Sequence, residues 1–259
     1  MFAAGSGHRG ALPSLSTSEK SSTSGALDSG SIRLPPHAPG LRIGLFGGTF
    51  DPPHAAHRAA CLLAMRKLKL DRVWWMVTPG NPLKDTRGLV SLADRIKAAR
   101  RLASHPRIDV TGVEAELRTR YTYDTIARLI ARCPGVHFVW IMGADNLRSF
   151  HRWQRWRAIA DLVPIAVVDR VGPSLYAIAG TAGQALARFR IKETAAATLA
   201  VRRPPVWVFL HGLKSPLSST ALRAQRGALS GKAGAGWPKK MRPKKRIRQR
   251  IRKRTRRSR

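Results

Sequence analysis

Arg42-Ile43-Gly44-Leu45-Phe46-Gly47-Gly48-Thr49-Phe50-Asp51-Pro52-Pro53-His54-Ala55-Ala56-His57-Arg58 is the stretch whose reading sets the architecture. A short apolar run, Ile43 to Phe46, ends at Gly47-Gly48. Two prolines follow, then histidines at 54 and 57, then an alanine-rich run. That order reads as a strand, a tight glycine turn and a helix start. Glycines let backbone N–H groups approach an anion with no Cβ in the way. The helix that follows would aim its positive end at the same spot. His54 and His57, three residues apart, fall on one face of the first helical turn. The pattern is that of a phosphate cradle with two imidazoles leaning over it. The plainer alternative is that both histidines cap the helix or face solvent. A zinc site would need further ligands at close spacing, and the neighbouring sequence offers none.

Working outward, Ala55 to Leu70 has the spacing of an amphipathic helix, and Arg72 to Val77 reads as a buried strand that stops at Thr78-Pro79-Gly80-Asn81-Pro82. Strand, helix, strand is a βαβ unit. Ser91 to Ser104 is a helix with Ser91 as N-cap and Asp94 at the third position. Ile108 to Val113 is a third strand, and Tyr123 to Cys133 a helix closed by Pro134-Gly135. Val136 to Met142 is the most apolar strand pattern and belongs at the centre of a parallel sheet. Leu162 to Val168 and Val206 to Leu210 read as later strands, residues 173–204 as helix plus loop, and Ser218 to Gln225 as a helix start. The alternation predicts an α/β fold, a doubly wound, mostly parallel sheet with ligands outside the carboxyl ends of its strands.

Bulk composition narrows the class. Of 259 residues 43% are hydrophobic, enough for a packed core, and the formal net charge of +34 favours acidic partners. From Lys239 to Arg259, 14 of 21 residues are Lys or Arg. The rest of the chain still carries 34 basic against 14 acidic residues. The two cysteines, Cys61 and Cys133, fall in different predicted helices, a pattern that suits a reducing cytoplasm rather than a disulfide scaffold. No apolar run reaches membrane-spanning length, and no secretory signal is read. Residues 1–40, rich in Ser, Gly, Ala and Pro, are expected to be a disordered N-terminal extension. Residues 230–259 are read as a basic C-terminal tail open to non-specific polyanion contact, with nothing aromatic after Trp237 for base stacking.

The run Gly47-Gly48-Thr49-Phe50-Asp51-Pro52-Pro53-His54-Ala55-Ala56-His57 resembles the signature of the HxGH-type nucleotidyltransferases, and among them is most similar to the nicotinate-nucleotide adenylyltransferase family. Ala56 stands where that signature has glycine. A second match is Gly143-Ala144-Asp145, with Trp153 eight residues beyond the Asp; Trp156 has no counterpart and is read as packing. A third is Ser218-Ser219-Thr220-Ala221-Leu222-Arg223, which resembles the family's Ser-Ser-Thr-x-Ile-Arg. The resemblance covers about residues 41–226 and implies a Rossmann-like nucleotidyltransferase domain over 41–229.

It also implies chemistry. The phosphate of nicotinate mononucleotide would attack the α-phosphorus of ATP, giving deamido-NAD and pyrophosphate. The nucleophile is already an anion, so no general base is needed, and catalysis is positioning plus charge stabilisation. His54, His57 and Arg223 are the implied catalytic residues. Gly47, Gly48, Thr49, Phe50, Ser218, Ser219 and Thr220 would bind ATP. Lys84, Tyr121, Thr122, Asp145 and Trp153 would bind the mononucleotide: Asp145 through ribose hydroxyls, Trp153 by stacking on the pyridine ring. The Tyr121 to Thr125 loop would frame the pyridine carboxylate through backbone N–H groups, or serve as a capping loop with Thr122 or Asp124 as N-cap. Mg²⁺ would ride on the triphosphate, with no protein metal site. Competing readings are a nicotinamide-mononucleotide or phosphopantetheine adenylyltransferase, or a nucleic-acid-binding protein on this scaffold. Oligomeric state is not legible.

Overall fold

The computed structural model describes residues 28–80, 88–169 and 174–212. Seven strands form one sheet: β1 Arg42–Gly48, β2 Arg72–Val77, β3 Ile108–Thr111, β4 His137–Gly143, β5 Ile165–Val168, β6 Arg190–Ile191 and β7 Trp207–Leu210. Their spatial order is β3-β2-β1-β4-β5-β7-β6 and every pairing is parallel. The helices are α1 Ser29–Ile32, α2 Ala55–Leu68, α3 Leu92–Ala103, α4 Val113–Leu117, α5 Thr122–Arg132, α6 Ala144–Ser149, α7 Trp156–Leu162, α8 Ser174–Ala179 and α9 Thr181–Ala185.

Both faces of the sheet are covered, as strands apolar on both sides require. Ile43, Leu45, Trp74, Met76, Phe138, Trp140 and Met142 form one apolar layer with residues of α4 to α9. Phe46, Val73, Trp75, Val77, Val139 and Ile141 form the other, against α2, α3 and a 3₁₀ stretch at Glu193–Val201. Strand alternation deals neighbours such as Trp74 and Trp75 to opposite layers. β4 is central, as its composition predicts. Cys61 and Cys133 are both buried free thiols, and burial pushes the Cys61 thiol well above its ordinary pKa.

Sequence order reverses between β1 and β4, which makes the crevice at their carboxyl ends the topological switch point. The register pairs Phe46 with Ile141 and Gly48 with Val77. The loops after β1, β2 and β4 therefore leave the sheet side by side.

Several expectations are corrected. Residues 28–40 are part of the packed structure rather than a disordered extension. Asp28 caps α1, Thr111 donates to the Arg33 carbonyl at 2.9 Å, and Gly40 N–H donates to Gly135 at 2.8 Å. The third strand ends at Thr111, and Val113 begins α4 instead of finishing the strand. Leu162 closes α7, so the fifth strand starts only at Ile165. Among the described residues, 174–204 hold two short helices, 3₁₀ turns and the two-residue β6. Ser91 caps α3 as expected, accepting the Asp94 N–H at 3.2 Å.

Candidate active site

The first loop of the site is built by β1 and α2. The strand continues through Gly48, so the glycine pair is not itself the turn. The chain reverses over Thr49 to Pro53, where Phe50 holds φ 49° and Asp51–Pro52 is cis. Both glycines lie against rings, Gly47 the more tightly. A Cβ on Gly47 would lie 2.7 Å from Trp140 Cη2, and one on Gly48 would lie 3.0 Å from Phe50 Cζ. Phe50 is itself buried, packed on Trp75 at 4.9 Å and edge-on to His57 at 5.0 Å between ring centroids.

His54 is not on the first helical turn. It is the N-cap of α2, in extended backbone, and His57 is the third helical residue. The two rings nonetheless stack, with centroids 3.6 Å apart and planes at 26°. Their main chains interlock: His54 N–H donates to His57 Nδ1 at 3.2 Å, and His57 N–H donates to the His54 carbonyl at 2.9 Å. A ring nitrogen that accepts carries no proton, so the neutral His57 keeps its proton on Nε2. Ala56, where the family signature has glycine, is only 2% exposed.

The second loop follows β4. Gly143 caps α6, which puts Asp145, exposed, in the first turn of that helix. Trp153 is half-buried and stands edge-on to Trp140 (6.2 Å, 81°) and to Phe150 (5.4 Å, 75°). Trp140 lies against Gly47 near the end of β1, where a Cβ would come within 2.7 Å of its Cη2, and its ring also meets Trp153. Trp156 packs in the core, as read.

The third loop leads into α5. Its N-cap is Tyr121, with no side-chain cap, so neither Thr122 nor Asp124 plays that part; Thr125 N–H donates to the Tyr121 carbonyl at 3.1 Å. Thr122 is the first helical residue. The guanidinium of Arg155, two residues past Trp153 and at φ 54°, lies 3.6 Å over the Tyr123 ring and joins this loop to the Trp153 loop.

Two buried charged groups were passed over by the sequence reading. Arg95, 2% exposed, donates to the carbonyls of Thr49, Thr78, Pro79 and Val90. Glu114, 7% exposed, hydrogen-bonds with the side chains of Thr78 and Thr125, and burial raises its pKa from 4.5 to about 6. In sequence each is one charge on a short polar stretch, with no spacing to mark it. Lys84, Ser218, Ser219, Thr220 and Arg223 lie outside the described residues, and so does the boundary at 229. Among the described residues no group of three or more His, Cys, Asp or Glu is placed to hold a metal ion, and no helix is long and apolar enough to cross a membrane.

Comparison with known proteins places this geometry. Residues 45–225 match the cytidylyltransferase-like family model. A Bradyrhizobium sp. (strain ORS 278) protein named "Probable nicotinate-nucleotide adenylyltransferase" is 57% identical over 188 residues, covering 73% of this chain and 98% of that protein. The chain belongs to the nicotinate-nucleotide adenylyltransferase family. An Agrobacterium fabrum (strain C58 / ATCC 33970) member of the family is 55% identical over 181 residues, covering 70% of this chain and 97% of its own. The fold is shared with a solved structure described as Plasmodium falciparum nicotinic acid mononucleotide adenylyltransferase complexed with NaAD. That likeness has TM-score 0.50 and 16% identity, and covers 71% of this chain and 83% of that one. In this member of the nicotinate-nucleotide adenylyltransferase family, the stacked histidines follow β1 and Trp153 follows β4, the two strands that bracket the switch point.

Proposed function

We propose that the chain transfers the adenylyl group of ATP to nicotinate mononucleotide, releasing pyrophosphate and forming deamido-NAD. The observation that carries this reading is the meeting of two unlike loops at the β1/β4 switch point. One presents the interlocked His54–His57 pair, suited to anions. The other presents Asp145 and Trp153, suited to a ribose and an aromatic base.

A phosphate oxygen of the mononucleotide forms a bond to the α-phosphorus of ATP as the bond from that phosphorus to the bridging oxygen breaks. The electron pair leaves with pyrophosphate. No proton has to move before attack, because the nucleophile is an anion. The work of the protein is to hold two polyanions end to end and to offset charge on the leaving group. His57, with its proton on Nε2, donates to a phosphate oxygen; His54 and the Gly48–Thr49 backbone border the same region. Asp145 accepts from ribose hydroxyls, Trp153 stacks on the pyridine ring, and the Tyr121–Thr122 backbone faces its carboxylate. Lys84, Ser218, Ser219, Thr220 and Arg223 are assigned to phosphate contacts on the resemblance. Magnesium arrives as part of Mg-ATP, with its ligands from the triphosphate and water. The cysteine usage favours a cytoplasmic setting, and the domain is taken to end near residue 229.

Pyrophosphate release from ATP, measured with nicotinate mononucleotide, nicotinamide mononucleotide and phosphopantetheine in turn, tests the reading. Turnover is expected to be greatest with the nicotinate compound. Equal or better use of the amide, or turnover only with phosphopantetheine, overturns it. Removal of Lys239–Arg259 should leave pyrophosphate release intact; its loss would favour a nucleic-acid-binding role centred on the tail.

A further inference from the structure

We propose that Arg95 is a positioning residue of the adenylyl-transfer site, a buried brace that fixes the loop after β1 against the loop after β2. The proposal rests on the functional reading above for the identity of the reaction, and on geometry for the role.

Arg95 sits one turn into α3, whose start is set by the Ser91 cap. Its Nη1 donates to the carbonyls of Thr49 at 2.8 Å and Thr78 at 2.7 Å. Its Nη2 donates to Pro79 at 3.1 Å and its Nε to Val90 at 2.8 Å. Thr49 belongs to the loop that carries the histidine pair. Thr78 and Pro79 open the segment after β2. One planar cation therefore gathers carbonyls from the loop after β1 and the segment after β2, a task for which the guanidinium fork is suited and a single ammonium is not.

The consequence for the loop is directional. In a trans peptide the carbonyl and the next N–H point opposite ways. Pinning the Thr49 carbonyl toward α3 turns the Phe50 N–H away from α3. Pinning the Pro79 carbonyl does the same for the Gly80 N–H. Phe50 also holds φ 49°, a conformation costly for a non-glycine residue that persists only when the surroundings impose it. The group donating to the carbonyl just before Phe50 is Arg95. Burial disfavours the charge on Arg95, and the Asp51 carboxylate, in the same loop, counters that effect.

The test is steady-state kinetics of Arg95→Lys with ATP and nicotinate mononucleotide, alongside its melting temperature and its Mg-ATP affinity by calorimetry. The variant is expected to fold, to bind Mg-ATP within about threefold of wild type, and to lose kcat by about ten- to a hundredfold, the scale of misplaced reacting groups. Arg95→Ala supplies a second measurement: added guanidinium, but not isosteric neutral urea, should restore part of the lost turnover. Wild-type kcat in Arg95→Lys overturns the proposal, and so does a folded Arg95→Ala whose turnover guanidinium leaves unchanged. If Arg95→Ala does not fold, Arg95→Lys alone decides. Failure of the functional reading is distinct, because it appears as absent turnover in the wild-type protein.

Discussion

The indole of Trp140 meets that of Trp153 edge-on, with centroids 6.2 Å apart and planes at 81°, and Trp140 also lies against Gly47, where a Cβ would come within 2.7 Å of its Cη2. Trp153 is therefore propped by a ring that rises from the central strand. Its face is set by the sheet through Trp140 together with Phe150 of its own loop. Trp153→Ala should raise the KM for nicotinate mononucleotide by about tenfold, the scale of one aromatic or cation–π contact, while the KM for ATP stays within about twofold. Initial rates with each substrate varied in turn check this. Equal change in both KM values would mean that Trp153 serves only to pack.

His57 has two nitrogens with separate duties, one accepting from His54 N–H and the other carrying a proton. Asparagine can imitate the first and glutamine the second. His57→Asn should keep the α2 cap but lower turnover by about a hundredfold, as expected for loss of one preorganised contact. His57→Gln, whose side-chain oxygen at this third helical position can also accept from His54 N–H, should keep the cap and retain more activity than His57→Asn. Paired kcat and urea-unfolding measurements read the two effects separately. Turnover in His57→Asn that matches wild type would remove Nε2 from the mechanism.

Glu114 gives the fold a pH dependence of known sign. Its folded-state pKa, about 6, lies above the ordinary 4.5 because burial penalises the carboxylate. Its contribution to stability is therefore full below about pH 4.5 and is lost as pH rises through about 6. Glu114→Gln does not ionise and escapes that loss. Relative to wild type, the variant should gain about 2 kcal/mol between pH ~4 and pH ~7.5, the equivalent of the shift. Urea unfolding of both proteins across that range tests it. A difference independent of pH would mean that the carboxyl titrates normally.

Gly44 separates stability from function. It faces the core in β1, where a Cβ would lie 2.5 Å from Ile141 Cδ1 and 2.8 Å from Leu70 Cδ1. Both neighbours are about 1% exposed and have little room to withdraw. Gly44→Ala should cost about 1–3 kcal/mol, the usual penalty of overpacking, with kcat per folded molecule unchanged. Calorimetry and kinetics well below the melting temperature would show it. Unaltered stability would mean that the core yields there.

The sequence made legible the elements whose stabilisation is local or repetitive. β1, β2 and β4 are continuous apolar runs bounded by glycine or proline, and α3 announces itself through Ser91 and Asp94. Val113 misled because a β-branched residue beside a strand looks like more strand, although helix α4 begins there with Gly112 as its N-cap. Residues 28–40 look like coil because their order comes from distant partners, such as Thr111 and Gly135. Glu193–Val201 has too few polar residues to show a periodic face, so its 3₁₀ form was hidden. The histidines and the Asp145–Trp153 spacing stood out because they match a family signature at fixed intervals. Arg95 was not: its role lies in carbonyls 16, 17 and 46 positions away, which no local pattern encodes.

The contact among Gly47, Trp140 and Trp153 also bears on how this protein can change. Room in that corner is shared: a bulkier residue at position 47 needs a smaller one at 140, and a smaller one at 140 removes one of the rings against which 153 packs. A substitution at any of the three is thus judged by the other two. A glycine at the end of β1 will be traded away only in company with an indole whose codon lies nearly a hundred positions downstream.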